Sequence, residues 1–402
     1  MKRSAGVLLH VSSLPDGGFG KSAFEFIDFL AECGIKYWQV LPLGPTDCFG
    51  SPYSSESVFA GNTKFITASA VWEPQEIKNF ITENKYWIED YANYMVKKYG
   101  GKKNEYIEQQ MLFFSQWGEI KKYANDKGIQ IIGDVPFYPA RDSADVWAKP
   151  GIFDLNGSAG VPPDYFNEAG QNWGNPLYDF KKMARDKYKW WVERLKHTQK
   201  MYDVLRIDHF RAFDSYYDFN AKAWNKGPGL KFFRTIQEAI PRIKIILEDL
   251  GDINKSVLAL RDATGYPGMR VMQFGFDGNS GNEHLPHNYP KNCVAYIGTH
   301  DNDTFVGFLA AASPDLRKNI DTYLSSYGLN FRDTTRVAFE NILSSRADVV
   351  VLSMQDLLFQ DNEYRMNLPG STDNNWKYRM KSSDLTPKVK DYLKMIIERA
   401  GR

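Results

Sequence analysis

The sequence predicts an α/β protein, a (β/α)8 barrel with inserted helical segments mainly between strands 2 and 3. Three observations predict it. Short β-branched apolar runs recur along the 402 residues and end in polar or glycine-containing segments. Helical patterns lie between many of these runs, and alternation of strand with helix points to a parallel sheet. The runs number eight, which suggests TIM-type closure. A doubly wound open sheet is the structural alternative.

In order, the runs are AGVLLHVS (5–12), YWQVLPL (37–43), IQIIGDVPF (129–137) and DVLRIDHF (203–210). They continue with IKIILEDL (243–250), GMRVMQFGF (268–276), CVAYIGTHD (293–301) and ADVVVLSMQD (347–356). Several are continuous rather than alternating, as expected when both faces of a parallel strand are covered. Between them, KSAFEFIDFLAECG (21–34) places Phe26, Ile27, Leu30 and Ala31 on one helical face and stops at Gly34. LKFFRTIQEAIP (230–241) does the same with Phe233, Ile236 and Ile240 before Pro241. The aromatic, charged stretch within 63–125 has helical periodicity and reads as an inserted helical subdomain. Segment 277–292 is too short and too rich in Gly, Asn and Pro for an ordinary helix. No internal repeat or low-complexity linker is visible, so residues 1–402 are expected to form one catalytic barrel.

Composition narrows the function. Lys plus Arg (50) nearly cancels Asp plus Glu (49), so no basic field favours nucleic acid or an anionic membrane, and a neutral substrate fits better than a phosphorylated one. Aromatics make up 15% of the chain, with 10 Trp and 23 Tyr; a large core explains them, and so does a sugar-stacking surface. Cys33, Cys48 and Cys293 lie far apart with no CxxC pair, which gives neither a disulfide framework nor a zinc signature. The N-terminus lacks a signal-like apolar run, and no stretch approaches the length of a membrane span. A cytoplasmic protein is expected.

In a barrel, catalytic groups gather at the carboxyl ends of the strands. Strand one ends at His10 and strand three carries Asp134. Strand four ends in Arg206, Asp208 and His209, strand five in Glu248 and Asp249, and strand seven in His300 and Asp301. A single Asp at a strand end is commonly a helix cap or a loop salt bridge, but several carboxylates flanked by Arg and His suit glycosidic chemistry. That chemistry needs one ionised carboxylate to attack the anomeric carbon and one protonated acid for the departing oxygen. Arg206 and Asp208, two residues apart on an extended strand, point to the same side, where the guanidinium would keep Asp208 ionised. Glu248 would need a less polar setting or a neighbouring anion to stay protonated. Gly17, Gly18 and Gly20 lack the spacing of a phosphate-cradling loop. No metal or cofactor is called for.

Motifs along nearly the whole chain make the comparison explicit. They are RSAGVLLHVSSLP, YWQVLPLGPT, SPYSSESVFAGN, IIGDVPFYPARDSADVW, GVPPDYFNEAGQNWGNPLYDF and RIDHFRAF. They continue with LEDLGDI, GYPGMRVMQFGF, HLPHNYPKN, GTHDNDT and RMNLPGSTDNNWKYR. In this order the sequence resembles the 4-α-glucanotransferases of the amylomaltase (disproportionating enzyme) family. The resemblance implies a retaining transfer of α-1,4-glucan segments through a covalent glycosyl–aspartate intermediate. Asp208 is the implied nucleophile, Glu248 the general acid and then base, and Asp301 a hydrogen-bonding partner of the donor ring hydroxyls. Tyr53, Asp164, Tyr165, Gln171, Trp173, Arg206, His209, His300 and Asn302 are the implied binding residues, several of them within a groove-lining loop region at 150–180. Implied partners are maltooligosaccharides and amylose- or glycogen-type glucans, with glucose or maltose as acceptor and no nucleic acid, membrane or protein partner. A retaining α-glucan hydrolase with the same residues, or a non-catalytic glucan-binding relative, is the alternative. Two departures stand out: several groove-bordering segments are shorter than is usual in the family, and Ala212 replaces the usual glycine after DHFR.

Overall fold

A computed structural model describes residues 1–163 and 170–402. Each of the eight apolar runs supplies one barrel strand: β1 (Ser4–Leu8), β2 (Tyr37–Gln39), β3 (Gln130–Val135), β4 (Val204–Ile207), β5 (Ile245–Leu247), β6 (Gly268–Val271), β7 (Cys293–Tyr296) and β8 (Val349–Ser353). They close in the order β1-β8-β7-β6-β5-β4-β3-β2, so chain neighbours are sheet neighbours all the way round. The closed parallel barrel replaces the open-sheet alternative. Almost every strand residue is buried, because side chains on one face fill the barrel while those on the other meet helices.

Packing divides the chain into two compact units, residues 1–41, 120–132 and 267–402, and residues 42–119 and 133–266. In the first, β1 pairs in parallel with β8, Ser4 opposite Val349 through Leu8 opposite Ser353. Helix α1 (Lys21–Glu32) buries Ala23, Phe26, Ile27 and Leu30 and ends at Cys33 and a left-handed Gly34. Phe26 meets Trp38 of β2 edge to face, 5.5 Å between ring centres. Segment 277–292 contains one short 3-10 turn, Pro286–Asn288.

In the second unit, α2 (Pro74–Glu83) and α3 (Ile88–Tyr99) precede α4 (Lys103–Asp126), whose last turns, from Ile120 on, belong to the first unit. Helix α5 (Lys189–Met201) leads into β4, α6 (Gly229–Ala239) into β5, and α7 (Lys255–Thr264) follows β5. Aromatic residues bind this unit together: Phe137 meets Tyr178, Trp191 and Phe213 with ring centres 4.8–5.7 Å apart. Gly133 is required on β3, because a Cβ there would lie 2.1 Å from the Tyr202 ring. Beyond β3, short antiparallel strands form a small sheet of Gln171–Asn172, Ala159–Val161, Ser215–Asp218 and Ala223–Lys226. This sheet carries the Gln171–Trp173 motif and was not expected from the sequence.

Candidate active site

Strands β4 and β5 pair in register, Leu205 with Ile245 and Ile207 with Leu247. The next residues on each strand are Asp208 and Glu248. Their backbones stay pinned: Glu248 N–H donates to the Ile207 carbonyl (3.0 Å), Phe210 N–H to the Glu248 carbonyl (3.0 Å) and Asp208 N–H to the Val135 carbonyl (3.1 Å). Between them, His209 adopts the left-handed conformation at φ 51° and ψ 49°, which is uncommon for a residue with a Cβ. The turn aims the His209 N–H at Glu248, where it donates to Oε2 at 2.7 Å. The strained residue therefore orients one carboxyl against its neighbour, the kind of site where such strain is found.

Arg206 lies fully inside the unit and bridges two carboxylates. Its Nη1 donates to both oxygens of Asp134, at 2.8 and 2.6 Å, and its Nη2 lies 3.1 Å from Asp208 Oδ1. Tyr53 completes the cluster by donating its hydroxyl to Asp134 Oδ2 at 2.7 Å. Burial alone would lower the Arg206 pKa, but Asp134 and Asp208 outweigh it and hold the guanidinium well above its ordinary range. Asp134 is wholly enclosed, whereas the Asp208 side chain is 29% exposed. The cation thus neutralises the carboxylate that faces protein and leaves the other open to an incoming group.

Among the described residues, Glu248 has no comparable cation. It retains some solvent contact, yet protein surrounds it closely enough that burial is the main cause of a pKa raised to about 8, with the charge of Asp208 adding to it. Arg206 and the His209 N–H pull the other way and are outweighed. The adjacent Asp249 is treated differently: it points to the other side of the strand and pairs with Arg261 of α7 at 2.7 Å. At neutral pH the two strand ends thus present one carboxylate held by an arginine and one carboxylic acid.

An aromatic arm flanks this pair. The Trp173 ring stands edge-on to the His209 ring, 4.8 Å between centres, and its indole N–H donates to Gln171 Oε1 at 3.1 Å. Trp173 is 38% exposed, so it is not a core residue. Burial lowers the His209 pKa to about 4, so its imidazole is neutral. Tyr53, Gln171, Trp173, Arg206, Asp208, His209 and Glu248 therefore belong to one connected cluster with Asp134, the strand-three carboxylate expected at the same strand ends. Asp164 and Tyr165 lie outside the described residues.

His300, Asp301 and Asn302 follow β7 in the other unit. His300 Nε2 lies 3.3 Å from Asp301 Oδ2, and Asn367 Nδ2 donates to Asp301 Oδ1 at 2.6 Å. Arg365 donates to the Asp301 carbonyl (2.7 Å) and the Asn367 carbonyl (2.6 Å), and pairs with Asp303. Asn302 turns its side-chain Oδ1 back to accept from the Thr299 N–H (2.8 Å) and hydroxyl (2.9 Å), so that oxygen holds the turn. His10 is buried and accepts from the Leu41 N–H through Nδ1 at 3.2 Å; burial, then His300, lowers its pKa to about 3. Ala212 is buried in a 3-10 turn and is not among the residues with positive φ, so its extra methyl causes no backbone strain.

Two carboxyl groups held in opposite protonation states suit glycosidic bond exchange, and comparison with known proteins agrees. The 4-alpha-glucanotransferase model of glycoside hydrolase family 77 matches residues 9–78 and 97–386. The chain belongs to the 4-alpha-glucanotransferase family. A 4-alpha-glucanotransferase of Clostridium butyricum is 38% identical, with 98% of this chain and 100% of that protein covered. One from Streptococcus pneumoniae is 36% identical, over 98% of this chain and 96% of its own length. A solved amylomaltase from Streptococcus agalactiae, in complex with acarbose, matches with a TM-score of 0.92 at 33% identity, covering 100% of both chains. The alignment with the Clostridium 4-alpha-glucanotransferase spans 490 positions, more than the 402 residues present here. That relative therefore contains internal segments that this shorter family member lacks.

Proposed function

We propose that this chain transfers α-1,4-glucan segments from donor to acceptor maltooligosaccharides in two displacements that retain anomeric configuration. In the first, the Asp208 carboxylate attacks the anomeric carbon while Glu248 gives its proton to the departing 4-oxygen. The glycosidic C–O bond breaks, an ester to Asp208 forms, and the shortened glucan leaves. In the second, Glu248, now a carboxylate, takes the proton of an acceptor 4-hydroxyl. That oxygen attacks the anomeric carbon and releases Asp208. General acid–base help of this kind is typically worth ~10²–10⁴ in rate.

The observation that carries this reading is the coupling of Glu248 to Asp208. Part of the rise in the Glu248 pKa comes from the Asp208 charge, and that charge disappears when the ester forms. Glu248 then becomes more acidic at the step in which it must act as a base, and the change reverses when the ester breaks. The motif resemblance gives Asp301 the role of holding donor ring hydroxyls. The exposed Trp173 ring suits the apolar face of a sugar. Asp164 and Tyr165 belong to the acceptor-side loop in the same reading. The three cysteines form no disulfide, which suits a reducing, cytoplasmic setting. No helix among the described residues is long and apolar enough to cross a membrane.

Incubation with maltotriose tests the function. Transfer gives glucose and a ladder of longer maltodextrins. Glucose and maltose alone would make the protein a hydrolase, and unchanged maltotriose would make it a binding protein.

A further inference from the structure

The 3-10 turn after β4, Phe210–Phe213, is buried throughout. Burial of its apolar side chains follows from packing: Phe210 and Phe213 lie on Phe232 and Phe233 of α6, with ring centres 4.7–5.7 Å apart. Arg211 is the exception. It is only 8% exposed, yet the carboxylate it pairs with, Asp252 at 3.1 Å, has a side chain 83% exposed. Among the described residues the Arg211 Nε has no hydrogen-bond partner. An ion pair with so exposed a partner adds little stability, and enclosing a guanidinium is costly. Stability alone therefore does not account for an arginine at this position.

What Arg211 holds is backbone. Its Nη1 donates to the Asp252 carbonyl, and its guanidinium lies over the Trp224 ring, 4.1 Å from the ring centre. Trp224 comes from the hairpin of Ser215–Asp218 and Ala223–Lys226, where it stands opposite Tyr217. Stacking on an aromatic face while donating in the guanidinium plane is a combination particular to arginine.

The carbonyl held in this way belongs to the loop that follows the general acid. At one end of the loop Asp249 pairs with Arg261 of α7 at 2.7 Å; at the other Asp252 is held by Arg211. Between them the Leu250 N–H donates to Glu248 Oε1 at 3.1 Å, while the His209 N–H donates to Oε2. One donor on each oxygen fixes the rotation of the carboxyl group, and with it the direction in which the acid presents its proton. The His209 donor is set by the strand end. The Leu250 donor is only as steady as the loop.

We propose that Arg211 is a positioning residue for the general acid: clamped on the Asp252 carbonyl and covered by Trp224, it steadies the loop after β5 so that the Leu250 N–H stays on Glu248 Oε1 and the acid faces the departing oxygen. The assignment rests on the proposed role of Glu248. Arg211 acts through the loop and not on the substrate. A misaimed acid slows the departure of a group that needs a proton and spares one that does not.

The test compares kcat/KM, which reads bond breaking from free enzyme and substrate, for phenyl α-maltoside, 4-nitrophenyl α-maltoside and α-maltosyl fluoride. The two aryl substrates carry similar rings and differ in leaving-group basicity, and fluoride departs without a proton. Arg211→Met in the full-length protein is expected to lower kcat/KM by about 10- to 100-fold for phenyl α-maltoside, by less for the nitrophenyl substrate, and by under about threefold for the fluoride. Arg211→Lys, which keeps a charged donor, is expected to lose less than Arg211→Met with the same order of substrates. Trp224→Ala should repeat that order at roughly three- to tenfold for phenyl α-maltoside, and it decides the matter if a urea titration finds Arg211→Met unfolded. Equal losses on all three substrates would make the clamp merely structural and overturn the inference. So would unchanged kcat/KM for phenyl α-maltoside in the folded variants. Glu248→Gln is the reference: if it lacks the same order of substrates, the proposed role of Glu248 fails, and if it shows the order while the Arg211 and Trp224 variants do not, only the clamp fails.

Discussion

Arg206 stands between a carboxylate that the fold must bury and one that the reaction must expose. Removing it would leave the enclosed Asp134 carboxylate without its arginine, and breaking a buried pair from one side typically costs about 3–5 kcal/mol. Arg206→Met is therefore expected to lower unfolding free energy by roughly that amount in a urea titration, and to abolish transfer as well. Glu248 makes the opposite prediction. Its folded-state pKa of about 8 lies above the ordinary glutamate value of 4.5, so between those pH values the folded protein binds more protons than the unfolded one and stability falls as pH rises. Glu248→Gln removes that penalty. The variant is expected to be inactive on maltotriose yet more stable than the parent at pH 8.5 by roughly 1–3 kcal/mol, allowing for remaining solvent contact, with the difference vanishing below about pH 4.5. In the active enzyme kcat/KM should fall above about pH 8, as the general acid ionises. At this scale the sequence is legible where polar residues interrupt an apolar strand, as in VLRIDHF, because that conflict is local. The Tyr53–Asp134–Arg206 cluster is not, since its members come from three distant segments and only the fold brings them together.

Among the elements, the segment from Arg365 to Trp376 depends on the 299–303 turn and supports it. Arg365 fastens it to the Asp301 carbonyl and to Asp303, the Asn367 N–H donates to the His300 carbonyl at 3.1 Å, and the Asn367 side chain holds Asp301 Oδ1. A hydrogen bond to a charged group is worth about 1.5–3 kcal/mol. Asn367→Ala is therefore expected to reduce kcat/KM for maltotriose by about 10- to 100-fold, with a urea midpoint close to that of the parent. A collapse of stability with unchanged kcat/KM in the folded fraction would show that the contact serves only the fold. The barrel strands were legible because each is a run of buried apolar residues several positions long. The small antiparallel sheet carrying Gln171 and Trp173 was not. Its strands are two to four residues long, too short for alternation to register, and the pairing that joins its two hairpins, Ala159 with Asp218, is distant in sequence.

For the molecule as a whole, the ring of parallel strands delivers Asp208 and Glu248 from neighbouring strands in fixed register, and their opposite environments separate the roles of nucleophile and acid. The composition, with balanced charge and abundant aromatics, is legible as a neutral-sugar enzyme only in combination with those strand ends. The central claim is that Asp208 forms a covalent bond with the transferred glucan. It is tested most directly by quenching the Glu248→Gln protein in acid after exposure to α-maltosyl fluoride, whose leaving group needs no proton, and locating any added mass by peptide mapping. A maltosyl ester on Asp208, within the peptide containing VLRIDHF, is the predicted result. Turnover of the fluoride to β-maltose without an adduct, or an adduct on any other carboxylate, would contradict the account.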